Sequence, residues 1–194
     1  MSWVMAYLIG SLPAGLFVGY LWTGQDIRMY GSGDCGLKNV FRVISLEAAL
    51  VTLIAEGLKG LLPVLAAKSL GISGGSVALT GILVIVGSLW TWYPGIRGAF
   101  SITTSLGVLT GITPNATGPI AALVISCLLL FRKASWTAWA MIVFLPVIGL
   151  LSTANWVELT VIFGIPALMI ARELQQIVHW PKLMKDGVTY KVKN

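Results

Sequence analysis

The sequence predicts an all-α, polytopic membrane protein with seven transmembrane helices, its N-terminus outside and its C-terminus cytoplasmic. Three observations predict it. Of 194 residues, 57% are apolar and only 10% charged, against about 25% charged in an ordinary soluble domain; the mean hydropathy is +0.89. The apolar residues fall into long uncharged runs, not short alternating ones. Cations outnumber acids, 13 Lys+Arg to 7 Asp+Glu for a net +6, and their placement reports orientation. This composition excludes a soluble domain, a disordered tail, a collagen and a disulfide scaffold. Cys35 and Cys127 stand far apart, match no zinc spacing and imply no oxidising compartment.

The spans follow in order. Residues 3–22 carry no charge, no basic stretch precedes them and no small-residue cleavage site follows, so they read as a retained first helix and not a signal peptide. Residues 46–67 are apolar apart from Glu47, Glu56 and Lys59. Residues 76–92 form an uncharged run barely long enough to span. No residue from Phe100 to Phe131 is charged, which is too long for one simple span of about 20 residues. Gly111, Pro114, Asn115 and Gly118 mark a turn within it, giving two short spans at about 100–113 and 117–131. Residues 136–151 and 153–170 complete the seven, with a turn at 152–155. Residues 1–170 form a single membrane domain without a linker or an internal repeat, and 171–194 a basic cytoplasmic tail. The short spans call for tilt, local thinning or partner contact.

Charge placement tests this count. With the N-terminus outside, the inner segments 24–45, 93–99, 132–135 and 171–194 hold Arg28, Lys38, Arg42, Arg97, Arg132, Lys133, Arg172, Lys182, Lys185, Lys191 and Lys193, eleven of the thirteen cations. The outer loops hold Lys68, and Lys59 lies within the second helix. Merging 100–131 would put Arg132 and Lys133 across the membrane from the basic tail. Most of the eight tryptophans lie near span ends, as an aromatic belt predicts.

Polar groups in such a chain are costly and therefore informative. The richest segment is the first inner loop, 24–42. Gly31, Gly33 and Gly36 permit tight turns whose amides can hold an anion, and Lys38 and Arg42 share a helix face. A phosphate cradle is one reading; a flexible loop whose cations only set topology is the other. No strand precedes it and no Gly-Lys-Ser/Thr ends it, which excludes nucleotide P-loop and dinucleotide motifs. Glu56 and Lys59 form either a self-neutralising helix pair or a site with a substrate-facing lysine. Glu158 reaches the interface. His179, the single histidine, lies beside Trp180 and Pro181 with no acid or nucleophile as partner. No cluster has metal-ligand spacing. The spread of the basic residues disfavours nucleic acid. The tail lies on an anionic leaflet or grips a neighbouring subunit.

The stretch Ser11-Leu-Pro-Ala-Gly-Leu-Phe-Val-Gly19, with Asp26-Ile-Arg28, Tyr30-Gly-Ser-Gly33, Asn39-Val-Phe-Arg42 and Gly57-Leu-Lys-Gly60, resembles the bacterial acyl-phosphate glycerol-3-phosphate acyltransferases. The resemblance implies seven helices and an inner-face site that moves an acyl chain from acyl phosphate to glycerol 3-phosphate, making lysophosphatidic acid for phospholipid biosynthesis. It implies no coenzyme A, no metal and no required cofactor, with a bound lipid compatible. If active, its catalytic residues are Ser32, Asn39, Arg42, Lys59 and Ser135; its phosphate- or headgroup-binding residues are Ser32, Gly33, Lys38, Asn39, Arg42, Arg97 and Arg172.

The same resemblance marks replaced positions. The family's small residue and Thr before the Asn are Leu37 and Lys38. Its histidine is Ser88, one lysine is Arg97, a second lysine is Phe100, and a second serine after Ser135 is Ala138. Its C-terminal His-Arg-Glu-Asn reads Ala171-Arg-Glu-Leu174. Arg97 keeps charge but not lysine geometry. Ser88 carries no titratable charge near neutrality, and Phe100 and Leu174 donate nothing. One lost donor costs about 10²–10³ in rate. The expected function is therefore an acyltransferase-like protein of the inner (plasma) membrane that has lost catalysis and serves as an accessory, structural or lipid-binding subunit of a larger membrane complex, packing against partner helices or pigments. The alternative is an active acyltransferase acting on glycerol 3-phosphate and acyl phosphate. A transporter or channel is disfavoured by the absence of a proton-relay chain.

Overall fold

The structure, a computed structural model, describes residues 3–93, 102–115, 118–122, 126, 142–147 and 155–185; past Ala171 the only side chain it describes is Leu174. All regular structure among these residues is helical. Helices α1 (Trp3–Ser11) and α2 (Ala14–Thr23) lead through a 3-10 turn (Ile27–Met29) to a short α3 (Leu37–Val43), then α4 (Leu46–Ser69), α5 (Gly74–Leu89) and α6 (Ile102–Ile112). Further helical stretches cover 118–122 and 142–147. The last helix, α7, runs Trp156–Lys185.

The first expected span is not one rod. Axes α1 and α2 diverge by 46° at a break around Leu12 and Pro13. Proline has no N–H to donate and its ring clashes with the preceding turn, so the ladder stops there. The expected second, third and fourth spans coincide with α4, α5 and α6 within a few residues. Most of the expected 117–131 and 136–151 spans lies outside the described residues. Helix α7 continues through residue 170, so the expected start of the tail falls inside a helix. Among the described residues, α4 is long and apolar enough to cross a bilayer, and the bent α1–α2 pair passes jointly.

Small residues bring the helices together. A Cβ on Gly60 of α4 would strike the Thr104 carbonyl of α6, and one on Gly107 of α6 would strike the Gly57 carbonyl. Across the α1–α5 contact, Gly10 faces the Val84 carbonyl and Gly87 the Tyr7 carbonyl. Lipid tails give no hydrophobic drive between helices, so this backbone proximity and its dispersion contacts hold them. The main core, including Val64, Val84, Ile85, Leu109, Ile162 and Ile165, lies among α4, α5, α6 and α7. A second cluster of Val18, Ile27, Val40, Ala48 and Ala49 seats the first loop on α2 and α4.

Candidate functional site

The loop between α2 and α4 is built, not slack. Helix α2 ends at Gly24, whose left-handed φ of 68° lets its N–H reach the Tyr20 carbonyl. Asp26 then caps the 3-10 turn, its Oδ1 accepting from the Arg28 N–H at 3.0 Å. The Arg28 guanidinium closes on the same carboxylate, Nε at 2.9 and 3.0 Å and Nη2 at 2.5 Å. This pair holds the Asp26 carboxyl below its ordinary range, chiefly through the Arg28 hydrogen bonds. Arg28 is thereby committed to the loop.

Asn39 organises the rest. Its side chain is 1% exposed. Its Nδ2 donates to the carbonyls of Asp34 at 2.8 Å, Tyr30 at 3.2 Å and Ile27 at 3.3 Å. Its Oδ1 accepts the Ser32 N–H at 2.9 Å. Gly31 and Gly33 have φ of 62° and 74°, and a Cβ on Gly31 would strike Asn39 Oδ1, so both the turn and the close approach require glycine. Gly36, expected to be a third such turn, has an ordinary φ of −79°. Asn39 is therefore a positioning residue; its buried amide faces the loop's own backbone and not a ligand.

The expected cations divide. Lys38 and Arg42 are exposed on α3, four residues apart, and no ion pair engages either among the described residues. Lys59 turns the other way, its Nζ donating to the Leu12 carbonyl at 3.0 Å. That carbonyl is freed by the Pro13 break, and a cation at the C-terminal end of α1 is electrostatically favourable. The neighbouring Ser11 carbonyl accepts from Thr91 Oγ1 at 2.8 Å, and Tyr7 Oη donates to the Trp90 carbonyl at 2.7 Å. The break in the first span is thus tied to α4 and to the exit of α5.

Ser88 stands beside this knot. It is buried, and its hydroxyl donates to the Ile85 carbonyl of its own helix at 2.8 Å. Cys35 is half-buried, and burial pushes its thiol up to about 11, so it is protonated at neutral pH. Arg97, Phe100, Ser135 and Ala138 lie outside the described residues, as does the side chain of Arg172; Leu174 is exposed on α7. Among the described residues no group of three His, Cys, Asp or Glu side chains gathers at a metal-sized site. At the far end of α4, Lys68, Val77, Ile112 and Glu158 line a separate cavity of about 260 Å³.

The sequence profile of glycerol-3-phosphate acyltransferases matches residues 1–182. The chain belongs to the glycerol-3-phosphate acyltransferase family. It is 42% identical over 111 residues to the "Glycerol-3-phosphate acyltransferase" of Geobacter metallireducens, which covers 57% of each chain. It is 39% identical over 143 residues to that of Geotalea daltonii, covering 72% of this chain and 73% of the relative. The chain therefore spans little more than half the length of the Geobacter relative. The crystal structure of PlsY (YgiH), an integral membrane glycerol 3-phosphate acyltransferase in its glycerol 3-phosphate form, superposes with a TM-score of 0.74 at 26% identity over 93% of this chain and 90% of that one. This family member is accordingly membrane-embedded.

Three features escaped sequence reasoning. Gly15 and Gly19 on α2 form the seat of the loop, Gly15 against the Cys35 carbonyl and Gly19 against Ile27. Their i, i+4 spacing was the available signal. The Asp26–Arg28 pair was legible only as a motif. The Ser32 hydroxyl donates to Asp34 Oδ2 at 2.8 Å, a contact between exposed side chains that no spacing rule signals.

Proposed function

We propose that this family member keeps the phosphate-holding loop of its relatives, has lost acyl transfer, and serves in the inner (plasma) membrane as a multi-pass, lipid-binding accessory subunit of a larger complex. The observation that carries the reading is Ser88. Where the family resemblance implies a histidine, a short hydroxyl is buried and bonded back to Ile85. It holds no charge near neutrality and offers no proton to a phosphate leaving group. Leu174, at the position of the family's C-terminal asparagine, adds a second loss of hydrogen-bonding capacity.

What the loop carries suits headgroup binding. Ser32 and Gly33 occupy a tight turn fixed by Asn39, and Lys38 and Arg42 expose two positive charges on the helix that follows. Seven spans with the N-terminus outside put this loop on the cytoplasmic face, where anionic lipid is available. No cofactor enters this reading.

A second reading, an active acyl-phosphate:glycerol-3-phosphate acyltransferase, is favoured by the intact Ser32–Asn39–Arg42 loop. In it the loop and Arg42 hold the glycerol 3-phosphate phosphate while the glycerol hydroxyl attacks the acyl phosphate carbonyl, releasing inorganic phosphate. Extraction from native membranes in a mild detergent tests the accessory role. The proposed role predicts a particle larger than the monomer that carries other membrane polypeptides and phospholipid. A lone, lipid-free monomer that retains its fold contradicts it.

A further inference from the structure

We propose that the Asp34 carboxylate is a built-in anion that occupies the loop's hydrogen-bond donors and biases the loop toward singly charged phosphodiester headgroups over dianionic phosphomonoesters. The inference rests on reading the loop as the phosphate-holding element. A donor count carries it. The Ser32 N–H goes to Asn39 Oδ1 at 2.9 Å, and the Gly33 N–H goes to the Tyr30 carbonyl at 3.1 Å. The Gly36 N–H goes to Asp34 Oδ1 at 2.9 Å, and the Ser32 hydroxyl to Asp34 Oδ2 at 2.8 Å. The Ser32 hydroxyl and Gly36 amide therefore reach an incoming phosphate only when Asp34 yields them.

Asp34 itself is exposed, so its carboxylate is not held there by burial. It swings away without disrupting a core. Its charge stays near the ligand after it swings, and repulsion scales with ligand charge. A phosphomonoester carries close to two negative charges at neutral pH, whereas a phosphodiester carries one. Asp34 thus penalises glycerol 3-phosphate about twice as heavily, in free energy, as a phosphodiester. Lys38 and Arg42 attract both, the dianion more strongly, so the bias due to Asp34 is the change in the monoester-to-diester affinity ratio when its charge is removed.

The test is calorimetric titration of the full-length protein in detergent micelles with glycerol 3-phosphate and with glycerophosphoethanolamine, whose phosphate is a diester. The wild-type ratio of the two affinities is the baseline. Asp34→Asn keeps a carbonyl oxygen for the Gly36 amide and removes the charge. It should tighten glycerol 3-phosphate by roughly tenfold and the diester by roughly threefold, while Asp34→Glu stays close to wild type. The gap should narrow as salt is raised. If Asp34→Asn leaves the monoester-to-diester affinity ratio unchanged while Arg42→Ala still abolishes binding, the inference fails and the phosphate reading stands. If neither protein binds either ligand, both fail. Asp34→Ser, at the same exposed position, removes the same charge and should move the ratio the same way, so a poorly folding Asp34→Asn does not rescue the idea.

Discussion

Replacing Lys59 with methionine separates a structural lysine from a ligand-facing one. In the structure its ammonium donates to the Leu12 carbonyl at 3.0 Å, within the break made by Pro13. A hydrogen bond with a charged partner contributes about 1.5–3 kcal/mol. The Leu12 carbonyl also accepts the Ala14 N–H at 3.1 Å, so the variant does not orphan it. Methionine regains apolar contact and removes the cost of desolvating an ammonium. The net loss is therefore toward the lower end, about 1–2 kcal/mol, or roughly a 5- to 30-fold shift in the folded–unfolded ratio. Glu56, which attracts Lys59 from one turn earlier on α4, then lacks this compensating charge, and adding Glu56→Gln should recover part of the loss. Thermal unfolding followed by tryptophan fluorescence in micelles reads the shift. Phosphate affinity should stay within about twofold of wild type, since the ammonium faces the α1 end. Wild-type stability together with a phosphate affinity lowered tenfold or more would refute the reasoning and make Lys59 a ligand-binding residue.

Three further outcomes follow from the same geometry. Asn39→Asp replaces the donor to three loop carbonyls with an acceptor, so it should cost about 2–3 kcal/mol and speed hydrogen exchange at the amides of 31–36; unchanged exchange would show that the loop holds its shape without it. Gly107→Val drives a side chain into the Gly57 carbonyl and should destabilise by about 1–3 kcal/mol, read as a lowered unfolding temperature, whereas the same change at Gly118, where no described residue comes within 4 Å of a Cβ, should do little. Cys35, its thiol raised to about 11 by burial, should alkylate slowly at pH 8 and accelerate only as the pH approaches 11, because the thiolate is the nucleophile and burial disfavours it; rapid labelling at pH 8 contradicts that.

Much of the fold was legible because bilayer physics writes it in long uncharged runs. Helices α4, α5 and α6 lie within about three residues of where the uncharged runs place them. The break at Pro13 was not legible, since a proline inside an apolar run reads equally well as a tolerated kink. Nor was the continuation of α7 past residue 170, where polar residues mark the end of an apolar run but not of a helix. At the loop, Gly31 and Gly33 could be read as turns, but nothing local distinguishes Gly36 from them; its conformation depends on the Asp34 contact. Asn39 reads as a candidate ligand-binding amide, whereas its partners are backbone carbonyls that only the folded chain brings to it. Lys59 is the sharpest case. Its partner lies 47 residues away, and that carbonyl is within the lysine's reach, outside the helical ladder, only because the first span is broken.

Under the proposed function, a phosphate-holding loop persists here without acyl transfer. The most direct measurement is lysophosphatidic acid formation from acyl phosphate and glycerol 3-phosphate by the purified protein in lipid, with phosphoryl-ligand binding measured on the same preparation. The expected result is binding that Arg42→Ala removes and product no faster than the protein-free background. Robust turnover that disappears in Arg42→Ala would contradict it and establish an active acyltransferase that works with Ser88 in place of the family histidine.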